Sequence, residues 1–423
     1  MAGPGVHDVP DHRGATSPGR PVKESVESRY AWLRLTAALL LATIGGVGLW
    51  SVVVALPLVQ AEFGVARAGA SLPYTLTMVG FGVGGVVLGQ LADRFGALIP
   101  VAIGSVLLGL GYIVTAHTES MWSFAMTYGL MIGVGSSVVF GPLVADISHW
   151  FDRRRGIAVA LCASGNYFAG AVWPPILQHF IATVGWRQTH TGIGIFCLVT
   201  MLPLALVLRR QPPMTGPRST AHSTTSAGLA LGLPPNVLQA LLIVAGVSCC
   251  VAMAMPQVHI IAYCVDLGYG PARGAEMLSL MLGCGVISRL TFGLLMDRIG
   301  GLGTLLLGSM LQAVALALFL PFNGLASLYA ISAVFGLFQG GIVPSYAMIV
   351  RQFFPAQQAG ARIGLVLSST LAGMALGGWM SGAIFDATGS YQAALFNGIA
   401  WNLLNMSIAF WLLQRSWRGS VPA

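Results

Sequence analysis

Apolar runs long enough to cross a bilayer alternate with short polar segments along almost the whole chain. A membrane span needs roughly 20 mostly apolar residues. The runs place twelve of them, near 33–60, 70–92, 98–116, 121–147, 156–183, 188–208, 235–264, 273–296, 302–321, 325–350, 361–386 and 391–414. Several are longer than the minimum, which predicts helices that tilt or protrude. The pattern therefore predicts an all-α integral membrane protein with a tail over 1–30, six spans over 31–208, a linker over 209–234, six spans over 235–416 and a short tail over 417–423. The first tail is rich in Gly, Pro, Ser and charge, has no apolar core of signal-peptide type, and reads as disordered. The linker opens Arg-Arg-Gln-Pro-Pro and continues in Ser, Thr, Gly and Pro, which reads as flexible and cytoplasmic.

Composition supports lipid as the solvent. Hydrophobic residues make up 56% of the 423 and charged residues only 8%, too few to cover a water-facing surface. The 55 glycines would weaken soluble helices, whereas in a bilayer they let helices approach closely. The net charge of +8 does not point to nucleic acid, because the charges lie in short loops between spans. With both termini cytoplasmic, the inner segments carry 17 Lys and Arg, and the outer segments carry only Arg67, Arg187 and Arg273. That is a clear positive-inside bias. Short loops and the lack of a cleavable signal suit a bacterial inner membrane, and a monomer is the expected state. The six cysteines fall in apolar runs without metal or redox spacing and read as packing residues. No cofactor and no metal are expected. Paired carboxylates, a nucleophile with its base, or a metal cluster within the spans would mark an enzyme, and the spans hold none. No phosphate loop of the G-x-x-x-x-G-K type occurs, so any transport draws on a gradient.

An internal repeat organises the spans. Gly89-Gln-Leu-Ala-Asp93-Arg94-Phe-Gly96 closes the second, and Gly293-Leu-Leu-Met-Asp297-Arg298-Ile-Gly300 closes the eighth, at an offset of 204 residues. The same offset pairs Gly185-Trp-Arg-Gln with Gly389-Ser-Tyr-Gln. Two matches at equivalent points of the halves indicate duplication, and parallel six-span repeats are one of the builds used by transporters. Through G-x-L-x-D-R-x-G the chain resembles the major facilitator superfamily across residues 31–416. The resemblance implies two pseudo-symmetric six-helix bundles that rock about a central site. It also implies a cytoplasmic gate. The glycines would allow close approach and sharp turns, and the Asp and Arg would bond helix ends of the other bundle when the cytoplasmic side is shut. Arg153 and Arg154, in Trp150-Phe-Asp-Arg-Arg-Arg-Gly156, are candidates for the same latch, although topogenesis alone also explains them. A solvated loop ion pair is the alternative for the Asp–Arg motifs.

One charge lies inside a span. Arg289 sits about seven residues from the cytoplasmic end of the eighth, which at about 1.5 Å per residue is roughly 10 Å deep. Its guanidinium keeps its proton and must find an anion, water or carbonyl groups. No acid stands in mid-span: Asp146, Asp266, Glu276 and Asp386 lie near span ends. Either a substrate carboxylate supplies the charge or the side chain snorkels and caps carbonyls. Gly285-Val-Ile-Ser-Arg289-Leu-Thr-Phe-Gly293 through Arg298, with Val258-His259 to Gly268 and Trp150 to Gly165, is similar to the monocarboxylate-porter and oxalate/formate-antiporter branch. In that branch such an arginine holds the substrate carboxylate. Two departures stand out: Gly285 occupies the place of an acid found in proton-coupled animal members, and the eleventh span has no lysine. The resemblance implies a small organic anion, most readily a monocarboxylate, moved by proton coupling or anion exchange. Proton-driven efflux of a hydrophobic compound is the alternative.

Other polar residues in spans are candidate ligands or interhelical hydrogen bonds: Asn166, Tyr167, Tyr128, Gln339 and Tyr346. His259 is a candidate proton relay, or a neutral histidine bonded to a carbonyl. Gly80–Gly85, Gly129–Gly135 and Gly373–Gly378 have small-residue spacing that predicts close helix crossings.

Overall fold

The computed structural model describes residues 27–210 and 231–419. The expected disordered tail up to residue 26, most of the linker and residues 420–423 lie outside these. Eleven apolar helices are long enough to span a membrane, and one of them, Pro271–Leu318, is two helices that meet at a kink at Gly300. The twelve spans are α1 Arg29–Phe63, α2 Arg67–Phe95, α3 Leu98–Thr115, α4 Met121–Trp150, α5 Arg155–Val184, α6 Trp186–Arg209, α7 Pro235–Asp266, α8 271–299, α9 301–318, α10 Leu325–Phe353, α11 Gln357–Thr388 and α12 Tyr391–Arg418. No strand occurs among the described residues. In lipid the backbone must satisfy its own hydrogen bonds, and long helices do so. An even number of crossings leaves the start of α1 and the end of α12 on one face, called here the terminal face.

The repeat is visible in the backbone. Gly96 (φ 80°, ψ 172°) ends α2, and Gly300 (φ 73°, ψ 172°) separates α8 from α9. A side chain at that positive φ would be strained, so glycine makes the same sharp turn in each half. Breaks recur at equivalent places too. α4 passes through a π-helical stretch at Tyr128–Gly133 and a non-helical Phe140 (φ −118°, ψ −81°), while α10 is interrupted at Gly340 and Gly341. α5 is interrupted at Ser164, between Arg155–Ala163 and Gly165–Val184.

Glycine sets the helix spacing. A Cβ on Gly80 would lie 2.0 Å from the Gly129 carbonyl oxygen, so α2 and α4 touch backbone to backbone. Gly373 and Gly377 likewise bring α11 against the backbone of α7, where an added Cβ would lie 2.5 and 2.6 Å from the Val247 and Val251 carbonyl oxygens. Helices in lipid gain little from hydrophobicity and associate through such packing.

The first bundle, α1–α6, carries a charged clasp. Arg34 of α1 donates from Nε and Nη2 to both carboxylate oxygens of Asp146 on α4, each at 2.7 Å. It also donates to the carbonyls of Leu208 (3.1 Å) and Arg210 (2.9 Å) at the end of α6, and its guanidinium lies 4.8 Å from the Trp150 ring. The pair is almost fully buried, with side-chain exposures of 1% and 7%. The 204-residue offset pairs these positions with Leu238 and Val350, so the clasp belongs to the first half alone. Removing one partner of a buried pair strands the other charge at a cost of about 3–5 kcal/mol. Asp146→Ala is therefore expected to lower the unfolding temperature of purified protein markedly. The double variant Arg34→Met/Asp146→Leu is expected to recover most of the loss. Equal stability of the single variant and the parent would show that the clasp carries no energy.

Candidate functional site

A cavity of about 390 Å³ lies between the bundles. Its walls come from α1, α2, α4 and α5 of the first half and α7, α8, α10 and α11 of the second, which are equivalent sets. The helices that carry breaks, α4, α5 and α10, all contribute to it. Most of the wall is apolar, including Leu49, Met78, Phe81, Met253, Leu282, Leu371 and Met374. Polar groups are few: Trp50, Tyr74, Ser137, Asn166, Tyr167, Cys250, Gln257, Ser368, Thr370 and Arg289. A mostly apolar cavity with a few convergent polar groups is the usual form of a small-molecule site.

Arg289 is the one charged side chain among the described lining residues. Ten residues separate it from Ile299 at the end of α8, about 15 Å along the helix at ~1.5 Å per residue. It is deeper than the roughly 10 Å expected, because α8 runs past residue 296 to the Gly300 turn. Among the described residues the guanidinium meets no carboxylate. Nη1 donates to the Ala163 carbonyl (2.8 Å) at the break in α5, and the guanidinium carbon sits 4.6 Å from the centre of the Tyr167 ring. The C-terminal end of the half-helix Arg155–Ala163 favours a cation there. Nε is buried without a hydrogen-bond partner among the described residues.

Asn166 and Tyr167 line the same cavity. The Trp50 indole N–H approaches both the Asn166 backbone carbonyl (3.2 Å) and its side-chain oxygen (3.3 Å), which fixes α1 against the α5 break. Gln339 stands one layer back: Gln257 Nε2 donates to its Oε1 at 2.6 Å, and Gln257 faces the cavity. Gln257 escaped the sequence reading although it interrupts an apolar run two residues before His259. Tyr128 and Tyr346 turn away. Tyr128 shares Ser51 with Tyr112 inside the first bundle, and Tyr346 donates to Asn405 (3.0 Å) inside the second. Both are fully buried hydroxyls already satisfied within one bundle. Among the described residues no group of His, Cys, Asp or Glu side chains could hold a metal ion.

His259 lies away from the cavity in a network at the face opposite the termini. Its Nε2 donates to the Gly378 carbonyl (2.8 Å), which leaves Nδ1 to accept from Tyr391 Oη (3.1 Å). The Tyr391 oxygen in turn accepts from Arg67 Nη1 (2.6 Å). Arg67 also makes a two-pronged pair with Asp266 at 3.1 and 3.2 Å. The Asp386 carboxylate takes the backbone N–H groups of Arg67 and Ala68, both at 2.8 Å, at the start of α2. The network ties α2 of the first bundle to α7, α11 and α12 of the second. Its origin is legible in the repeat. The offset of 204 pairs Asp266 with Glu62 and Tyr391 with Arg187. In the first half Arg187 pairs with Glu62 (2.7 Å) within one bundle. In the second half tyrosine replaces that arginine, and the acid takes its cation from the other bundle.

The terminal face is different. Asp93, Arg94, Arg153, Asp297 and Arg298, expected at a cytoplasmic gate, are exposed and make no hydrogen bond or ion pair to the other bundle among the described residues. Arg154 bonds Glu27 through its backbone N–H (2.7 Å) and reaches toward Trp32. Gly96 and Gly300 make the sharp turns, but a Cβ on Gly89 or Gly293 would meet nothing within 4 Å. The close approach expected at those two glycines does not occur in this conformation. Cross-bundle bonds run from the Arg67 network through Thr75 to the Ala375 carbonyl (3.1 Å) and Ser279 to the Ala171 carbonyl, and reach Arg289. Among the described residues the hydrogen bonds between the bundles thus lie from the opposite face to the depth of Arg289, and none is found at the terminal face.

Asp266→Asn keeps the shape of the network and removes its charge. Amide hydrogen exchange near 66–72 and 382–388 is expected to speed up about tenfold or more, a loss of about 1.4 kcal/mol. Unchanged exchange would show that other contacts hold that face shut.

Comparison with known proteins agrees with this fold. Residues 38–325 and 266–421 match the family model of the Major Facilitator Superfamily. Monocarboxylate transporter 13 of Bos taurus is 27% identical over 74% of this chain and 72% of its own length. The Agnestins efflux protein of Paecilomyces divaricatus is 23% identical over 78% and 74%. Among solved structures, a bacterial homologue of the human lysosomal transporter Spinster, inward-facing and unoccupied, superposes with a TM-score of 0.73 at 13% identity, over 94% of this chain and all of that one. The curated relatives are fungal and mammalian and lend no support to a bacterial inner membrane. By its twelve spans, its duplicated halves and the family model that covers nearly all of them, this multi-pass membrane protein belongs to the major facilitator superfamily of transporters.

Proposed function

We propose that the protein carries a small organic anion, most readily a monocarboxylate, across its membrane by alternating access, with Arg289 as the carboxylate-binding group. The observation that carries this reading is a permanent cation in a cavity between the bundles whose described lining is otherwise uncharged, with Nε unpartnered and no acid in reach among the described residues. A carboxylate fits the guanidinium fork, and Asn166, Tyr167 and Gln257 line the same cavity, with Gln339 bonded behind Gln257. The positive-inside bias makes the terminal face cytoplasmic. The conformation is then inward-open, and the Arg67–Asp266–Tyr391–Asp386 network is the shut outer gate. In the opposite state that gate parts and the Asp93–Arg94 and Asp297–Arg298 loops, with Arg153 and Arg154, close the inner side. His259 has both ring nitrogens engaged in the outer network, so its part in this reading is to hold Tyr391 rather than to pass protons to cargo.

A second reading, efflux of a hydrophobic compound, draws support from the largely apolar wall and from the efflux relative. The two differ in their need for Arg289. Uptake of labelled carboxylates into proteoliposomes is expected to fall at least tenfold in Arg289→Gln and in Arg289→Lys, while both variants insert and fold. Lysine fails because a point charge does not reproduce the fork. Carboxylate flux at the parental level in Arg289→Gln would remove the proposed role and favour the hydrophobic cargo.

A further inference from the structure

Resting on the carboxylate reading, we infer that the cargo is an amphipathic monocarboxylate with an aryl or branched apolar body, and that Gly85, the counterpart of Arg289 in the first half, is the position that admits this body.

The two seams where the bundles cross are unlike. α5 packs against α8 at one, and α2 against α11 at the other. The offset of 204 residues exchanges the seams, so they flank the cavity from opposite sides. The α5–α8 seam holds the Arg289 guanidinium, the Ala163 carbonyl it donates to, Asn166 and Tyr167. The α2–α11 seam presents Phe81, Gly82, Gly85, Leu367, Leu371 and Met374 to the cavity, and no charge. Its hydroxyls there are Tyr74, Ser368 and Thr370, and Thr370 donates to the Leu367 carbonyl (2.7 Å). The cavity is thus charged at one wall and mostly apolar at the other.

Its size agrees. A volume of about 390 Å³ falls in the range of about 300–1,000 Å³ that houses drug-sized ligands. When the bundles close, a two- or three-carbon acid on Arg289 would leave the α2–α11 wall without partner atoms and forfeit dispersion there. An aryl or branched body fills that space and takes the apolar wall out of water. The lining also limits the polar part of the cargo. Among the described lining residues no acid can take an ammonium group, and no second cation can take a second carboxylate. An α-amino acid or a dicarboxylate would each bring in a charge without a partner.

Gly85 keeps the space for the body. It stands where Arg289 stands in the other half, it lines the cavity, and a Cβ there would meet nothing within 4 Å. Other glycines of α2 are explained by packing: a Cβ on Gly80 would collide with the Gly129 carbonyl of α4, and one on Gly84 with the Ser137 hydroxyl. Contact with α4 therefore calls for glycine at 80 and 84 and not at 85. Gly82 also lines the cavity, and its Cβ would stand 3.6 Å from Leu371 Cδ1, an ordinary contact. A side chain at 85 would project into the cavity and shorten it from the wall opposite the guanidinium.

The test is calorimetric titration of the full chain in lipid nanodiscs with pyruvate, phenylpyruvate, phenylalanine and phenylsuccinate. Phenylpyruvate is expected to bind at least tenfold tighter than each of the other three. Gly85→Val is expected to weaken phenylpyruvate at least tenfold and to leave pyruvate within about threefold of the parent. Gly85→Ala is expected to show the same selective loss to a smaller degree. Both variants are expected to unfold at or above the parental temperature, since glycine is the weaker helix former. Should the valine variant fail to fold, Gly85→Ala and Gly82→Ala carry the measurement. Equal affinities for pyruvate and phenylpyruvate, both lost in Arg289→Gln, would overturn the apolar body and leave the carboxylate reading standing. Phenylpyruvate bound as tightly in Arg289→Gln as in the parent would overturn the carboxylate reading itself. Equal losses for the two acids in the Gly85 variants, or no loss, would remove Gly85 from the selection of cargo.

Discussion

A guanidinium keeps its charge at every ordinary pH, and the two bundles hold that of Arg289 about 15 Å along α8 from its nearer end, inside a cavity with no carboxylate. This single placement constrains much else. The charge must be supported without being cancelled, and two features of the fold do that. The break in α5 leaves a half-helix end and the Ala163 carbonyl beside it. The Tyr167 ring lies against its face. Each depends on α5 and α8 crossing between the bundles, and that crossing depends on Gly285 and Gly170, whose missing side chains make room for Tyr167, Leu282 and Trp50.

The other paired arginines of the helices are treated differently, and the contrast is informative. Arg34 is matched by Asp146 and by carbonyls of α6, within one bundle, and behaves as a structural clasp. Arg187 is matched by Glu62, also within one bundle. Arg67 is matched by Asp266 across the two bundles. A pair within a bundle moves as a unit when the bundles rock, so it is indifferent to the transport cycle. A pair across bundles is made in one state and broken in the other, so it biases the equilibrium between them. Arg289 has no carboxylate partner among the described residues, and in the proposed cycle its counter-ion is cargo. At the offset of 204 residues Tyr391 stands opposite Arg187, and Arg289 opposite Gly85, so the two halves place their charges differently.

The sequence by itself determined the number of spans, their duplication, the bias of positive charge to one side, and the isolation of Arg289. All of these follow from the cost of placing polar backbone or charge in hydrocarbon, which is paid residue by residue and so can be read along a line. It did not determine which way each helix faces. A soluble helix advertises its inner face by its polarity, but here lipid and protein interior are equally apolar and the helices are hydrophobic all round. Tyr128, Tyr346 and Gln257 are thus indistinguishable in sequence, yet two close hydrogen bonds inside bundles and one faces the cavity. Arg67 and Asp266, 199 residues apart, meet only because the bundles close over that face. Gly285 reads as one more small residue until the Tyr167 ring is seen to fill the space above it. Those outcomes rest on helix rotation and on contacts between segments remote in the chain, which only the packed tertiary structure decides.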